Sequence, residues 1–300
     1  MTVSPAVWAD ARLVAAPLLA ALSSLSAAAD RHPHADVPYV PTPPEVVDVM
    51  LRLADIGPRD FIADLGSGDG RIIIAAAKRH GARGIGVEID GALVGDARRE
   101  AARQGVAGRV EFREENLFIT EISRATVLTL YLSSALMARL RPRIFEELKP
   151  GARVVSHDFD MEGWRPDARV TVPVPGKPYG PPSSEVYLWI VPANAAGTWR
   201  WRSAAGAAPT ESEIVLSQAF QMLEGTMLAG GWPARLEEGR VRGDEIRFIL
   251  TAEAGGKALR QEFSGRISGD SISGKVRAGG SEFAWNATRT RRGSIKISDE

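Results

Sequence analysis

Residues 61–90 read FIADLGSGDGRIIIAAAKRHGARGIGVEID, and this stretch decides the fold. Phe61 to Leu65 is a short apolar run that meets turn signals at Gly66, Ser67 and Gly68, the pattern of a buried strand entering a tight turn. Three glycines in five positions, Gly66, Gly68 and Gly70, allow positive φ and let a ligand approach where a Cβ would obstruct it. From Arg71 the sequence IIIAAAKRH is helix-compatible and is closed by Gly81, so the turn opens directly into a helix N-terminus. GIGV then gives a second strand with Glu88 at its carboxyl end. In an open α/β sheet an acidic side chain there can accept hydrogen bonds from both hydroxyls of a ribose.

The charges on this unit discriminate between ligands. A dinucleotide would rest its pyrophosphate on the turn and the helix N-terminus, but the strand ends in Asp64 and the turn carries Asp69, and carboxylates beside a pyrophosphate are unfavourable. S-adenosyl-L-methionine has no phosphate, and its sulfonium and amino groups are cationic. The spacing GxGxG, in place of GxGxxG, agrees with it.

The chain has 300 residues, 44% apolar and 25% charged, with a formal net charge of zero. That size suits one large or two smaller globular domains, and the charge balance gives no support for a nucleic-acid partner. The absence of cysteine excludes a disulfide framework, a thiolate nucleophile and a zinc–cysteine site. The four histidines have no metal-ligand spacing. Residues 13–29 (LVAAPLLAALSSLSAAA) are uncharged and end in small residues that fit a cleavage site, which resembles an export signal. This points to an exported, periplasmic location, with the cytoplasm as the alternative.

A proline-rich lead-in precedes TPPEVVDVMLRLADI (42–56), an amphipathic helix pattern that Thr42 can cap. In VPYVPT, Tyr39 and Thr42 can fold over the cofactor as a lid. After Glu88 come a helix closed by Gly105, a third strand near 109–113, and EENLF, which places Glu115 or Asn116 beside an adenine amine and Leu117 on its face. The apolar run 125–132 reads as a central strand buried on both sides; it delivers Tyr131 and Ser133 to the cleft. A helix over 134–148 leads to a fifth strand running into HDFD: His157, Asp158, Phe159 and Asp160. Segments 169–174 and 185–191 can close the sheet as a hairpin.

Five βα steps and a hairpin match the Rossmann-like seven-stranded sheet of class I methyltransferases. DLGSGDGR, GIGVEID, VLTLYLS and LKPGARVVS further resemble the small methyltransferases that include the eukaryotic mitochondrial protein-lysine methyltransferases, whose substrates are inner-membrane proteins. The likeness covers residues 37–192. It implies cofactor contacts from Gly66, Gly68, Glu88 and, at the methionine end, Asp64, and an acceptor close to a membrane. HDFD departs from that pattern on the acceptor side, and a small-molecule or lipid acceptor stays open, as does a non-catalytic binding module.

Past Pro192, short segments recur at roughly ten-residue spacing between Gly, Asp, Ser and Asn, the signature of a small antiparallel barrel or sandwich. Trp199, Trp201, Trp232 and Trp285 read as core fillers, although a small closed barrel can also hold one ligand. The organisation is therefore a leader (1–29), an α/β methyltransferase domain (30–192), an all-β accessory domain (193–291) and a tail (292–300), the chain being solvated from Arg289 on. For the chemistry, a lysine amine with its ordinary pKa of about 10.4 must lose a proton before it attacks. His157, Asp158 and Asp160 are the candidate acceptors of that proton, and Tyr131 and Ser133 would orient the amine.

Overall fold

The computed structural model describes residues 39–178, 180–203, 210–229, 232–254 and 257–298. The export-signal segment lies outside them, as does the side chain of Trp232. Helix α1 (Pro44–Leu53) leads into β1 (Phe61–Leu65), α2 (Arg71–His80), β2 (Arg83–Glu88), α3 (Gly91–Arg103), β3 (Val110–Glu114), β4 (Val127–Leu130), α4 (Ser134–Glu147) and β5 (Arg153–His157). The hairpin β6 (Ala168–Pro173) and β7 (Ser183–Ile190) completes a sheet ordered β3-β2-β1-β4-β5-β7-β6. Strands β1 to β5 are parallel and β7 is antiparallel to β5.

Alternation along the strands distributes the core to both faces. Ile62, Val127 and Val155 pack with α1, α2 and α3, while Ala63, Leu65, Leu128, Leu130 and Val154 pack with Leu136, Met137, Leu140 and Ile144 of α4. The strand order reverses at β1, which has β2 on one side and β4 on the other; ligands of open α/β sheets sit outside the strand carboxyl ends at such a point.

A second sheet is built from β8 (Gly197–Ser203), β9 (Thr210–Ala219), β10 (Met222–Ala229), β11 (Trp232–Arg242), β12 (Glu245–Ala254), β13 (Lys257–Ser268), β14 (Ser271–Ala278) and β15 (Ser281–Arg292). Neighbours in sequence pair antiparallel, and β15 returns to β8, which closes a barrel and leaves it without long edges. The expected core role of three tryptophans is observed: Trp199, Trp201 and Trp285 are buried with Phe248 and Phe263. Ring centroids 4.8 Å apart for Phe248–Phe263 and 5.0 Å for Phe263–Trp285 put aromatic packing where a ligand-holding barrel would be hollow.

The tail is largely exposed, as expected, with a correction at Arg289. β15 continues to Arg292, and β16 (Ile295–Lys296) pairs parallel with the end of β9, beyond the point where β8 has begun. Arg289 is buried. Its guanidinium donates to the carbonyls of Ala196 (2.8 Å), Asn194 (2.5 Å) and Gly269 (3.2 Å), pairs with Asp270 and lies 4.3 Å above the Trp199 ring. A cation is tolerated there because every carbonyl it covers needs a donor.

Barrel and α/β sheet share contacts. Phe220 packs with Phe145 and Trp164 in the α4-side core, Arg240 pairs with the buried Asp167 at 2.6 Å, and Gln221 Nε2 donates to the Arg165 carbonyl. Among the described residues no helix is long and apolar enough to cross a membrane.

Replacing Arg289 by Met strands three carbonyls under the barrel wall. Urea unfolding followed by tryptophan fluorescence should show a loss of roughly 3 kcal/mol; a solvated arginine would change stability by less than about 0.5 kcal/mol.

Candidate active site

The glycine turn takes the shape its sequence requires. Gly66, Gly68 and Gly70 have φ of 77°, 53° and 76°. The backbone N–H groups of Gly66 and Ser67 donate to the Val87 carbonyl at 2.8 and 2.9 Å, which ties the turn to the end of β2. A Cβ at Gly68 would lie 2.4 Å from the Tyr39 ring, and one at Gly70 would lie 2.4 Å from the Phe112 ring. Tyr39 therefore covers the turn, as a lid residue would.

The lid is held at two further points. Burial and the Asp69 carboxylate push the pKa of the Tyr39 hydroxyl up to about 12. Arg71 pairs with Asp69 at 2.6 Å and donates to the Thr42 carbonyl at 2.9 Å. Asp69 is thus neutralised two residues along the chain, and its charge no longer bears on a phosphate; Asp64 alone carries that argument. Thr42 does not cap α1, which starts behind Pro43 with no side-chain cap. Its hydroxyl instead lies 3.2 Å from His157 Nδ1, a partner 115 residues away.

Asp64 is 2% exposed. The β1–β4 register sets it opposite Thr129, whose hydroxyl donates to Asp64 Oδ1 at 2.7 Å. Asp64 Oδ2 and Ser67 Oγ are buried without a hydrogen-bond partner. Burial pushes the Asp64 carboxyl up to about 7; the Thr129 hydrogen bond opposes this, and Asp69 and Glu88 add to it. An orphaned carboxylate oxygen is costly unless a donor arrives, and a cationic amino group is the donor that suits it best.

Glu88 stands at the end of β2. Its Oε2 accepts from Gly68 N (3.0 Å), and its Oε1 accepts from Ile89 N (2.8 Å) and Asp90 N (3.1 Å). These bonds fix the carboxylate beside the turn. Beyond β3, Glu115 is tied to Glu88 through its backbone, Asn116 Oδ1 accepts from Phe118 N in a local turn, and half-buried Leu117 packs on the α4-side core. The turn, Glu88 and the 115–117 loop therefore form one arc along the carboxyl ends of β1, β2 and β3. The free oxygen on Asp64, the glycine surface and this arc fit S-adenosylmethionine.

At the ends of β4 and β5 the predicted residues Tyr131 and His157 come together. The Tyr131 ring lies 3.9 Å from the His157 ring and 6.1 Å from Phe159. Half-buried Ser133 begins α4 without a side-chain cap. His157 is 1% exposed; beside its contact to Thr42, Nε2 lies 2.9 Å from Ser184 Oγ and 3.3 Å from Asp158. Burial lowers its pKa to about 4, so the ring is neutral at physiological pH. Asp158, at φ 61°, accepts from Glu185 N at 3.0 Å and from Lys177 Nζ at 2.6 Å. His157 and Asp158 therefore both hold hydrogen-bond partners within the protein, as a buried histidine and a half-buried carboxylate require. Of the HDFD run, Asp160 is exposed and Phe159 presents 37% of its surface.

Thr129, Arg71, Ser184 and Lys177 join the site without having been expected from the sequence. Thr129 had a signal, a lone hydroxyl inside an all-apolar central strand, which must find a buried partner. Lys177 and Ser184 had none, since their partners lie across a loop.

Residues 64–168 match the model of the ANTKMT methyltransferase domain. The chain is 42% identical to a protein-lysine N-methyltransferase of Saccharolobus islandicus over 160 residues, 53% of this chain and 95% of that protein. It is 34% identical to the adenine nucleotide translocase lysine N-methyltransferase of Mus musculus over 134 residues, 45% of this chain and 58% of that protein. A crystal structure of an RNA methyltransferase from Salinibacter ruber, in complex with S-adenosyl-L-homocysteine, is 54% identical, with a TM-score of 0.46, and the match covers 50% of this chain and 93% of that one. With the seven-stranded order, the glycine turn and a methyltransferase relative covered almost end to end, the chain belongs to the class I S-adenosylmethionine-dependent methyltransferases.

Proposed function

We propose that the acceptor is the side-chain amine of a lysine in a protein. The observation that carries this reading is the 42% identity to an archaeal protein-lysine N-methyltransferase across 95% of that protein. The acceptor-side surface is compatible with it: Tyr131 and Phe159 offer aromatic faces and Asp160 a solvent-facing carboxylate, a combination that attracts a cation.

In this reading Glu88 holds the ribose, the Gly66–Ser67–Gly68 backbone lies against the nucleoside, Tyr39 and Thr42 close over it, and Glu115, Asn116 and Leu117 flank the adenine. Asp64 receives the amino group at the methionine end. When bound, S-adenosylmethionine supplies a methyl already activated by its sulfonium, so the protein's task is to hold nucleophile and methyl in line, worth roughly 7–11 kcal/mol of the barrier. Tyr131 and Ser133 orient the amine. Lysine must arrive deprotonated or surrender its proton at the cleft mouth, where Asp160 and water face it. His157 and Asp158 act as positioning groups, joining the lid at Thr42 to Lys177, Ser184 and Glu185. Residues 13–29 support export, and the resemblance supports an acceptor close to a membrane.

Two measurements follow. Calorimetric titration with S-adenosylhomocysteine should show that Glu88→Ala weakens binding roughly ten- to hundredfold, the worth of charge-assisted hydrogen bonds; unchanged affinity would remove Glu88 from the site. Methyl-labelled S-adenosylmethionine incubated with lysate should label protein, at lysine on hydrolysis, and Tyr131→Phe should slow labelling at least about tenfold while cofactor affinity is kept. Label recovered in RNA, lipid or small molecules would overturn the lysine reading.

A further inference from the structure

We propose that Thr129 is the positioning residue for the cofactor's amino group: its hydroxyl occupies Asp64 Oδ1 and thereby turns Oδ2 toward the ligand. The inference rests on the reading of Asp64 as the methionine-end contact.

Three independent features support it. The β1–β4 register places Asp64 opposite Thr129 and points both side chains to the same face of the sheet as Ile62 and Val127. Both residues are buried, at 2% and 1% exposure, so no water competes for the 2.7 Å hydrogen bond. Asp64 Oδ2 is left without a partner while its sister oxygen is satisfied. A carboxylate with one oxygen bonded to a rigid strand has a fixed orientation, and its buried second oxygen is left unpaired for a donor that the ligand brings. Such preorganisation lowers the ordering cost of binding.

The same arrangement links binding to protons. The groups facing Asp64 are Thr129 on β4, Asp69 in the turn and Glu88 on β2. Burial above all, with smaller contributions from the two carboxylates, pushes the Asp64 pKa up to about 7 and favours its protonated form. An ammonium brought against Oδ2 favours the carboxylate, so binding below that pH expels a proton, and affinity rises as pH climbs toward about 7. The Thr129 hydroxyl favours the ionised form, and its loss moves the rise to higher pH.

The test is calorimetry with S-adenosylhomocysteine and with 5′-methylthioadenosine, which lacks the amino and carboxylate groups, from pH 5.5 to 8 in two buffers of different ionisation enthalpy. Thr129→Val, which keeps the side-chain shape, should weaken S-adenosylhomocysteine roughly tenfold, shift its pH profile upward, and leave methylthioadenosine within about twofold. Thr129→Ser, which restores the hydroxyl, should return both affinity and profile. Equal losses for both ligands, or an unmoved pH profile, would overturn the positioning role. Asp64→Asn separates the two levels: if it leaves S-adenosylhomocysteine binding intact, the Asp64 assignment itself fails; if it weakens binding while Thr129→Val does not, only the role of Thr129 fails.

Discussion

The site depends on one buried carboxylate. Asp64 lies between two central parallel strands where burial opposes charge, and it has one hydrogen bond for two oxygens. Its surroundings follow from that. The turn after β1 needs glycines because its backbone is tied to β2 at Val87 and roofed by Tyr39, so there is no room for a Cβ at Gly68. Glu88 sits one strand over, fixed by three backbone donors. An unsatisfied acid beside a fixed acid and a bare backbone surface is complementary to a nucleoside that carries a cationic tail.

The lid and the acceptor side form a continuous network around this centre. The Tyr39 ring lies over Gly68, Arg71 ties Thr42 to the turn, Thr42 reaches His157, and His157 contacts Ser184 beside the Asp158–Lys177 pair. Thr42, His157, Ser184, Asp158 and Lys177 each find a partner within the group, and a satisfied polar network is rigid. The cofactor cover and the acceptor wall are therefore held in one frame, with Tyr131, Phe159 and Asp160 on its open side.

Legibility in the sequence followed the distance over which each interaction is decided. The glycine turn, the helix that follows and Glu88 were readable because they obey local rules of backbone conformation and spacing, and the strand pattern of the barrel was readable from its turn residues. Thr42 was misread as a cap because local spacing allows it, while the hydroxyl found a better partner 115 residues away. His157 and Asp158 looked like a proton acceptor pair; only the fold shows that Ser184 and Lys177 claim them. Arg289 looked like a tail residue because a charged run is ordinarily solvated, yet barrel closure put it over Trp199 and beneath three carbonyls.

The roles of Asp64, Thr129 and Glu88 all turn on where the methionine end of the cofactor lies, and a crystal structure with S-adenosylhomocysteine bound measures that directly. The predicted result is the ligand amino group within about 3 Å of Asp64 Oδ2, with Thr129 still on Oδ1, both ribose hydroxyls on Glu88 and the Tyr39 ring over the nucleoside. A ligand whose amino group lies away from Asp64, or whose ribose is held by residues other than Glu88, would contradict it.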